Sequence, residues 1–469
     1  MTYPDRKDER LTDSDHTVRT VPALQPRDES GFQFACYADC CSGILGGANE
    51  STFAAVNAVV SRLEPQPEFI CFPGDEVQGL TSDAADLRRQ WRYWQNVEMG
   101  WARSRAIPVH NTPGNHTVYD DMSAGVFRDM IPHLGEDGPG AGLSYVVRQG
   151  ARLLVFIDTT CCDRGGEGRV DVAWLAGVLA GHADATHKLV FGHHPVFAVN
   201  GLSGRYQREI DPDDGRALWA LLVEHGVVAY VCSHILAFDA QVRDGVLQIV
   251  TGGAGTAPLM PESHEYHHCV QAAVDARGLR CQVLDTEGRV RESLDWPLSL
   301  PPSDSWPVFA GGSGEGVDGD PVRAWRITGR CPGTDIGRPQ TLLDGRSRET
   351  GLADVWIGLR GREGRLTVLL TPRPGRSPHC WSGPALARDG TLDVQVAIHA
   401  GLGPGGILWR GSDRAAWSSL SAASPWGAER LERPLSWTVG HGFQGPDAQP
   451  FLGSDLQLRS CVVASGAWG

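Results

Sequence analysis

The stretch Glu68-Phe69-Ile70-Cys71-Phe72-Pro73-Gly74-Asp75 decides how this chain reads. Residues 68–72 form a short apolar run of the kind that makes a buried strand. Pro73 ends it by withholding a backbone N–H, Gly74 permits a sharp turn, and a carboxylate stands just beyond. The same arrangement recurs outward along the chain. Residues 32–38 are apolar and stop at Asp39. Residues 107–110 lead into Pro113-Gly114-Asn115-His116. Residues 153–158 form a further run. Residues 188–191 end in Gly192-His193-His194-Pro195, and 227–232 end in Ser233-His234. Stretches 247–251, 270–274 and 280–290 continue the strand pattern, and apolar spacing predicts helices over 52–63, 84–101, 172–179 and 215–225. Short apolar strands alternating with helices indicate an α/β layered fold. In such sheets ligands bind beyond the strand ends, where these polar residues fall.

The flanks differ in texture. Residues 1–30 carry twelve Asp, Glu, Lys and Arg residues and three prolines, which reads as a flexible arm or a loosely docked extension. The α/β unit runs over 31–298. Residues 299–320, with Pro301-Pro302 and a glycine-rich tract, read as a linker. From 321 to 469 short β-type runs are separated by Gly and Pro turns, and nine of the fifteen tryptophans lie beyond residue 300. That predicts an all-β sandwich.

Among the 469 residues, 41% are hydrophobic and 21% charged, and the net charge is −14. Nucleic acid as the main partner is therefore not expected, because phosphate backbones need basic patches. No apolar run is long enough for a membrane helix, and the N-terminus has no secretory h-region, which points to the cytoplasm. The twelve cysteines include no CxxC, so free thiols are expected rather than a zinc ribbon.

Asp39, Asp75, Asn115, His193 and His234 are all metal-ligand types, gathered at one sheet edge. Mixed oxygen and nitrogen donors suit Mn, Fe or Zn better than Ca or Mg. With the motifs Tyr37-Ala38-Asp39, Gly74-Asp75, Gly114-Asn115-His116, Gly192-His193-His194-Pro195 and Ser233-His234, in this order, residues 31–295 resemble the calcineurin-like metallophosphoesterases, which include the purple acid phosphatases. The resemblance implies a four-layer αββα sandwich and hydrolysis of a small phosphomonoester or phosphodiester at one or two transition-metal ions. It implies that Asp75 bridges the ions, that Asn115, His193 and His234 bind one, that Asp39 binds the other, and that His116 protonates the leaving oxygen. His194, Arg205 and His267 are candidate substrate contacts.

The departures from the family pattern all fall on the Asp39 side. Cys41 replaces the His of D-x-H, Leu236 replaces the second His of GHxH, and Gln78 replaces the Tyr of purple acid phosphatases. Three readings stay open: Cys41 is a thiolate ligand, the Asp39 side is weak or empty, or other residues fill in, among them Glu76, Cys40, Cys161, Cys162 and the histidines at 264, 267 and 268. Diverted metal chemistry is an alternative function, as is a binding protein with a decayed catalytic domain. The C-terminal region resembles concanavalin A-like or laminin-G-like sandwiches. Its residues Trp356, Trp381, Trp409, Trp417, Trp426 and Trp437 could stack on a carbohydrate or fill the core.

Overall fold

The computed structural model describes residues 20–131, 143–160, 166–202, 209–256, 266–314, 321–331, 338–349, 351, 353–371, 377–386, 390–412, 416–425, 435–442 and 449–464. A pair of six-stranded sheets, packed face to face, builds the N-terminal region. One runs Phe238–Arg243, Val246–Thr251, Ala229–Cys232, His187–Phe191, Arg152–Phe156, Tyr145–Gln149. The other runs Val290–Trp296, Gly278–Asp285, His268–Asp275, Phe32–Cys36, Ile70–Phe72, Val109–Asn111. In the first sheet four central strands are parallel and hairpins complete both edges; in the second, Phe32–Cys36, Ile70–Phe72 and Val109–Asn111 are parallel at one end and the other three strands are antiparallel.

The two-residue strand period builds the layers. Leu154 and Phe156 point between the sheets, where they meet Phe34, Cys36, Cys71, Leu189 and Val231. Leu153 and Val155 point the other way, onto the helices Val172–Gly181 and Pro212–Glu224. On the far side, Ala35 and Tyr37 face Glu50–Val60, Ala84–Tyr93 and Asp121–Met130. Both faces of both sheets are thus apolar, which is why the strands read as continuous apolar runs.

Three elements depart from the sequence reading. The helix expected over 84–101 is Ala84–Tyr93, a wide turn at Trp94–Glu98 and Gly100–Ser104. The interruption places the Glu98 carboxylate on the Gly43 N–H at 3.0 Å, while Trp91 and Trp94 stay packed edge to face. The helix Asp121–Met130 has no counterpart in the sequence reading; Met122, Val126, Phe127 and Met130 face the core at helical spacing, and Asp120 and Ser123 close a capping box at its start. The strand Phe238–Arg243 carries polar residues that are nonetheless buried.

Residues 20–30 lie against the sheet. Val21–Pro22 pairs with Leu63–Glu64, and the Arg27 guanidinium donates to both oxygens of Asp275, at 2.9 and 3.1 Å. In the stretch read as a linker, Trp306 is buried and Gly312–Gly314 pairs with Leu435–Val439.

The C-terminal region is strand-rich. Its seven-stranded and five-stranded sheets enclose a cluster with Trp325, Trp381 and Trp437. Trp356 and Trp417 are also buried, Trp409 is half-buried, and Trp426 lies outside the described residues. The other face of the five-stranded sheet offers Val322, Ala324, Ala397 and Leu408 to the N-terminal core, where they join Ala240, Val242 and Trp296. Asn200 stitches the boundary. Its amide donates to the carbonyls of Pro404 and Leu420, both at 3.0 Å, and its oxygen accepts from the Ala422 N–H at 3.0 Å. Among the described residues no helix is long and apolar enough to cross a membrane.

Candidate metal centre

The polar residues beyond the strand ends converge because the backbone turns sharply there. Asp39, Cys41, Asp75 and His234 all adopt left-handed conformations, with φ of 57°, 41°, 57° and 66°. Each costs on the order of 1 kcal/mol in a residue with a Cβ. Pairing between turns holds them: Asp39 N–H donates to Gly74 O at 3.3 Å and Cys41 N–H to Asp75 O at 2.8 Å. Gly114 lets the third turn approach the second. A Cβ there would lie 2.6 Å from the Asp75 backbone nitrogen and collide with its carboxylate.

Four side chains then point at one spot. His193 Nε2 is 3.0 Å from Asn115 Oδ1, 3.1 Å from His234 Nδ1 and 3.4 Å from Asp75 Oδ2. His193 Nδ1 donates to the Pro73 carbonyl at 2.9 Å, and a carbonyl can only accept. Nε2 of the neutral ring is therefore a lone pair, oriented by a backbone partner as histidine ligands usually are. Lone pairs of two imidazoles, an amide and a carboxylate facing one another need a positive charge between them. This donor set fits a transition-metal cation.

Without a metal, a proton takes that place. Burial opposes a charge on His193, but the Asp75 and Asp39 carboxylates outweigh it and raise the ring to about 9. Asp75 is likewise buried, yet His193 and His116 hold it well below the usual carboxylate range. Burial, with Asp75 adding to it, pushes Asp39 up to about 7. Burial and the charged neighbour His193 keep His234 neutral, well below its ordinary value.

The Asp39 side offers a different donor set. Asp39 Oδ2 accepts from the His234 N–H at 3.0 Å. Asp39, Asp75 and His193 offer ligand atoms within 4.8 Å of one another, as do Cys41, Asp75 and His116. Burial and the Asp75 and Asp39 carboxylates push the Cys41 thiol well up, so a thiolate there needs a cation beside it. Leu236 offers no donor, and Gln78 is exposed and uses its backbone carbonyl to hold His116. Glu76 points away from the centre to Asn111 Nδ2 at 2.8 Å, and burial raises it to about 8. Cys40 donates to the Glu76 carbonyl.

His116 stands at the partly exposed side. Its N–H donates to Asp75 Oδ1 and its Nδ1–H to Gln78 O, both at 2.9 Å. His194 is fully buried rather than open to a pocket. Its Nδ1 is 2.8 Å from Thr159 Oγ1 and its Nε2 is 3.4 Å from Glu167 Oε1. His267 is half-buried, and His268 is buried with Nδ1 on the Tyr266 carbonyl. Arg205, Cys161, Cys162 and His264 lie outside the described residues. The ten described cysteines are free. Sequence reasoning missed Glu167 and Thr159. Thr159 directly follows an apolar run, which is a usable signal; Glu167 has none.

Residues 32–238 match the family model described as calcineurin-like phosphoesterase, and the N-terminal region is a metallophosphoesterase α/β fold. No curated protein matches the chain. Among solved structures, the chain is similar to purple acid phosphatase PPD1 from yellow lupin (Lupinus luteus) seeds, at 14% identity and a TM-score of 0.43. That match covers 58% of this chain and 55% of the lupin chain, so it spans little more than half of the latter. It is also similar to a dimetal phosphatase from Danio rerio, at 16% identity, 56% and 98% coverage and a TM-score of 0.40. A third is GAP50, the anchor in the inner membrane complex of Plasmodium, at 15% identity, 58% and 90% coverage and a TM-score of 0.41.

Proposed function

We propose that this protein hydrolyses a small phosphomonoester or phosphodiester with the aid of one or two transition-metal ions, in a catalytic unit spanning 31–298. The observation that carries this reading is the meeting of Asp75, Asn115, His193 and His234 within 3.0–3.4 Å of His193 Nε2. These four residues would hold a Mn, Fe or Zn ion. Asp39 and Cys41 border the position beside it. A cation held there supplies Lewis acidity and a water of lowered pKa.

The chain's own groups do the rest. Asp75 keeps Oδ2 toward His193 while Oδ1 accepts the His116 N–H, so one carboxylate ties the ligand cluster to the proton donor. Gln78 O fixes the His116 tautomer with hydrogen on Nδ1. A proton carried on Nε2 of the cationic ring is then the one that can pass to a leaving oxygen. His193 is locked by Pro73 O, so the lone-pair direction at Nε2 does not wander. Contacts of substrate with His267 and Arg205 belong to the same proposal.

The test is turnover of an aryl phosphate and of a bis-aryl phosphate by metal-reloaded protein. Expected is hydrolysis that chelation abolishes and that falls roughly 10²–10⁴-fold in His116→Ala with an alkyl leaving group, less with a nitrophenolate that needs no proton. Metal retention without turnover on any ester would instead favour diverted metal chemistry.

A further inference from the structure

The family pattern uses one nitrogen of His234, and the structure gives the other an environment of its own. Nδ1 faces His193 at 3.1 Å. Across the same ring, Nε2 is 3.7 Å from Glu167 Oε1, and that oxygen is 3.4 Å from His194 Nε2. The rings of His194 and His234 lie 4.5 Å apart. Thr159 Oγ1, at 2.8 Å, can accept the Nδ1 hydrogen of His194, a tautomer that would present the Nε2 lone pair to a cation. These separations are long for hydrogen bonds, which centre near 2.9 Å. The pair at 3.4 Å matches neighbouring donors that share one ion, since bonds of about 2.0–2.2 Å place adjacent donors roughly 3.0–3.6 Å apart, and the pair at 3.7 Å would close by about 0.1 Å. His193, His194 and His234 form a cluster whose ligand atoms lie within 4.8 Å of one another, and Glu167 borders it. The Glu167 side chain, 36% exposed, leaves this cluster open to solvent, whereas that of His194 is fully buried.

We infer that Glu167, His194 and Nε2 of His234 form a second metal position, joined through the His234 ring to the one held by Asp75, Asn115 and His193. It makes no use of Asp39, beside which Cys41, Gln78 and Leu236 replace the residues of the family pattern. Two nitrogens and a carboxylate suit Zn, Fe, Mn or Co. When both positions fill, His234 gives up its remaining ring proton to solvent and serves as an imidazolate. Ions on the two nitrogens of one ring stand roughly 6 Å apart, given metal–nitrogen bonds of about 2 Å. That exceeds the 3.5–4 Å of ions that clamp one displacement from both sides. The second ion therefore offsets substrate charge rather than sharing the attacking water. This deepens the hydrolase reading and rests on it only for the occupant of the first position.

The experiment reloads the chelated full-length protein with Zn²⁺, counts zinc per chain, and locates it by anomalous diffraction. The expected result is an anomalous peak within bonding distance of the Glu167 carboxylate and a second beside Asn115. Glu167→Gln and His194→Ala should each carry one zinc fewer than the unaltered protein while keeping the Asn115 peak. Matching melting curves of the chelated proteins would show that the variants fold; if they do not fold, the map of the unaltered protein decides. Absence of the Glu167 peak, or unchanged zinc in both variants, overturns the inference and leaves Glu167 as a hydrogen-bond partner. Loss of an ion in Asp39→Asn but not in Glu167→Gln overturns it likewise. Aryl phosphate turnover is scored separately: turnover without the peak removes this position and keeps the hydrolase, and the peak without turnover does the reverse.

Discussion

At the residue scale, His193 organises the centre, because every donor on one side of the site measures from its Nε2. Its proton in the metal-free protein has a consequence for stability. His193 is raised from 6.5 to about 9 and Asp39 from 3.8 to about 7, so the folded state binds both protons more tightly than the unfolded chain. The stability they contribute is complete below the unfolded values and is lost as pH rises through the folded ones. Asp75 acts in the opposite sense, but its stabilisation is lost only as pH falls below its unfolded value near 3.8. His194 and His268, lowered to about 4 by burial, and His234, lowered likewise, oppose that trend up to about pH 6.5. Chelated protein should therefore melt progressively lower from pH 7 to pH 9. Metal-loaded protein should lack that slope, and metal affinity should rise with pH as the His193 proton is displaced. Thermal melts with and without chelator across this range check both; a flat profile for the chelated protein would refute the charge assignment.

At the element scale, the strand-to-turn junctions are the functional units. A strand delivers the chain to the sheet edge, and a left-handed residue then swings the side chain into the crevice. Four junctions must pack against each other for the donors to meet, and Gly114 is where the third approaches the second with no room for a Cβ. Gly114→Ala should displace Asp75 and with it two tied groups, the His193 cluster and the His116 N–H. We expect at least a tenfold loss of metal affinity, with the far-UV spectrum retained. Zinc titration by calorimetry measures it. An unchanged affinity would mean that the second and third junctions can separate without cost to the site.

At the scale of the whole molecule, the strand-rich C-terminal region shares a core with the N-terminal α/β region and is not a detached module. Val242 and Ala240 lie in one cluster with Leu408, Ala397 and Trp417. Asn200 satisfies three backbone groups across the boundary. Asn200→Ala leaves them buried and unpaired, which costs about 2 kcal/mol. The expected outcome is a melting temperature lowered by a few degrees, with unfolding still a single calorimetric transition. Two separated transitions in the unaltered protein would contradict a shared core. The boundary also shows why the Trp-rich texture beyond residue 300 is ambiguous in sequence: tryptophan fills cores and binds sugars through the same apolar face. Among the described candidates, Trp356, Trp381, Trp417 and Trp437 are buried.

The sequence by itself determined the layered α/β unit and the placing of the candidate donors past strand ends, because both are local. An apolar run of five residues must be buried, a Pro or Gly must end it, and Asp75, Asn115, His116, His193 and His234 each stand just past such an end. It also marked Cys41, Gln78 and Leu236 as departures on the Asp39 side, since they are read directly. Only the tertiary structure decided which lone pairs meet. The Pro73 carbonyl that orients His193, the burial of His194 and the approach of Glu167 to two imidazoles depend on contacts between residues 27 to 120 positions apart. Side-chain charge was undecided for the same reason. A carboxylate at about 7 and an imidazole at about 9 reflect burial and neighbours that no linear spacing records.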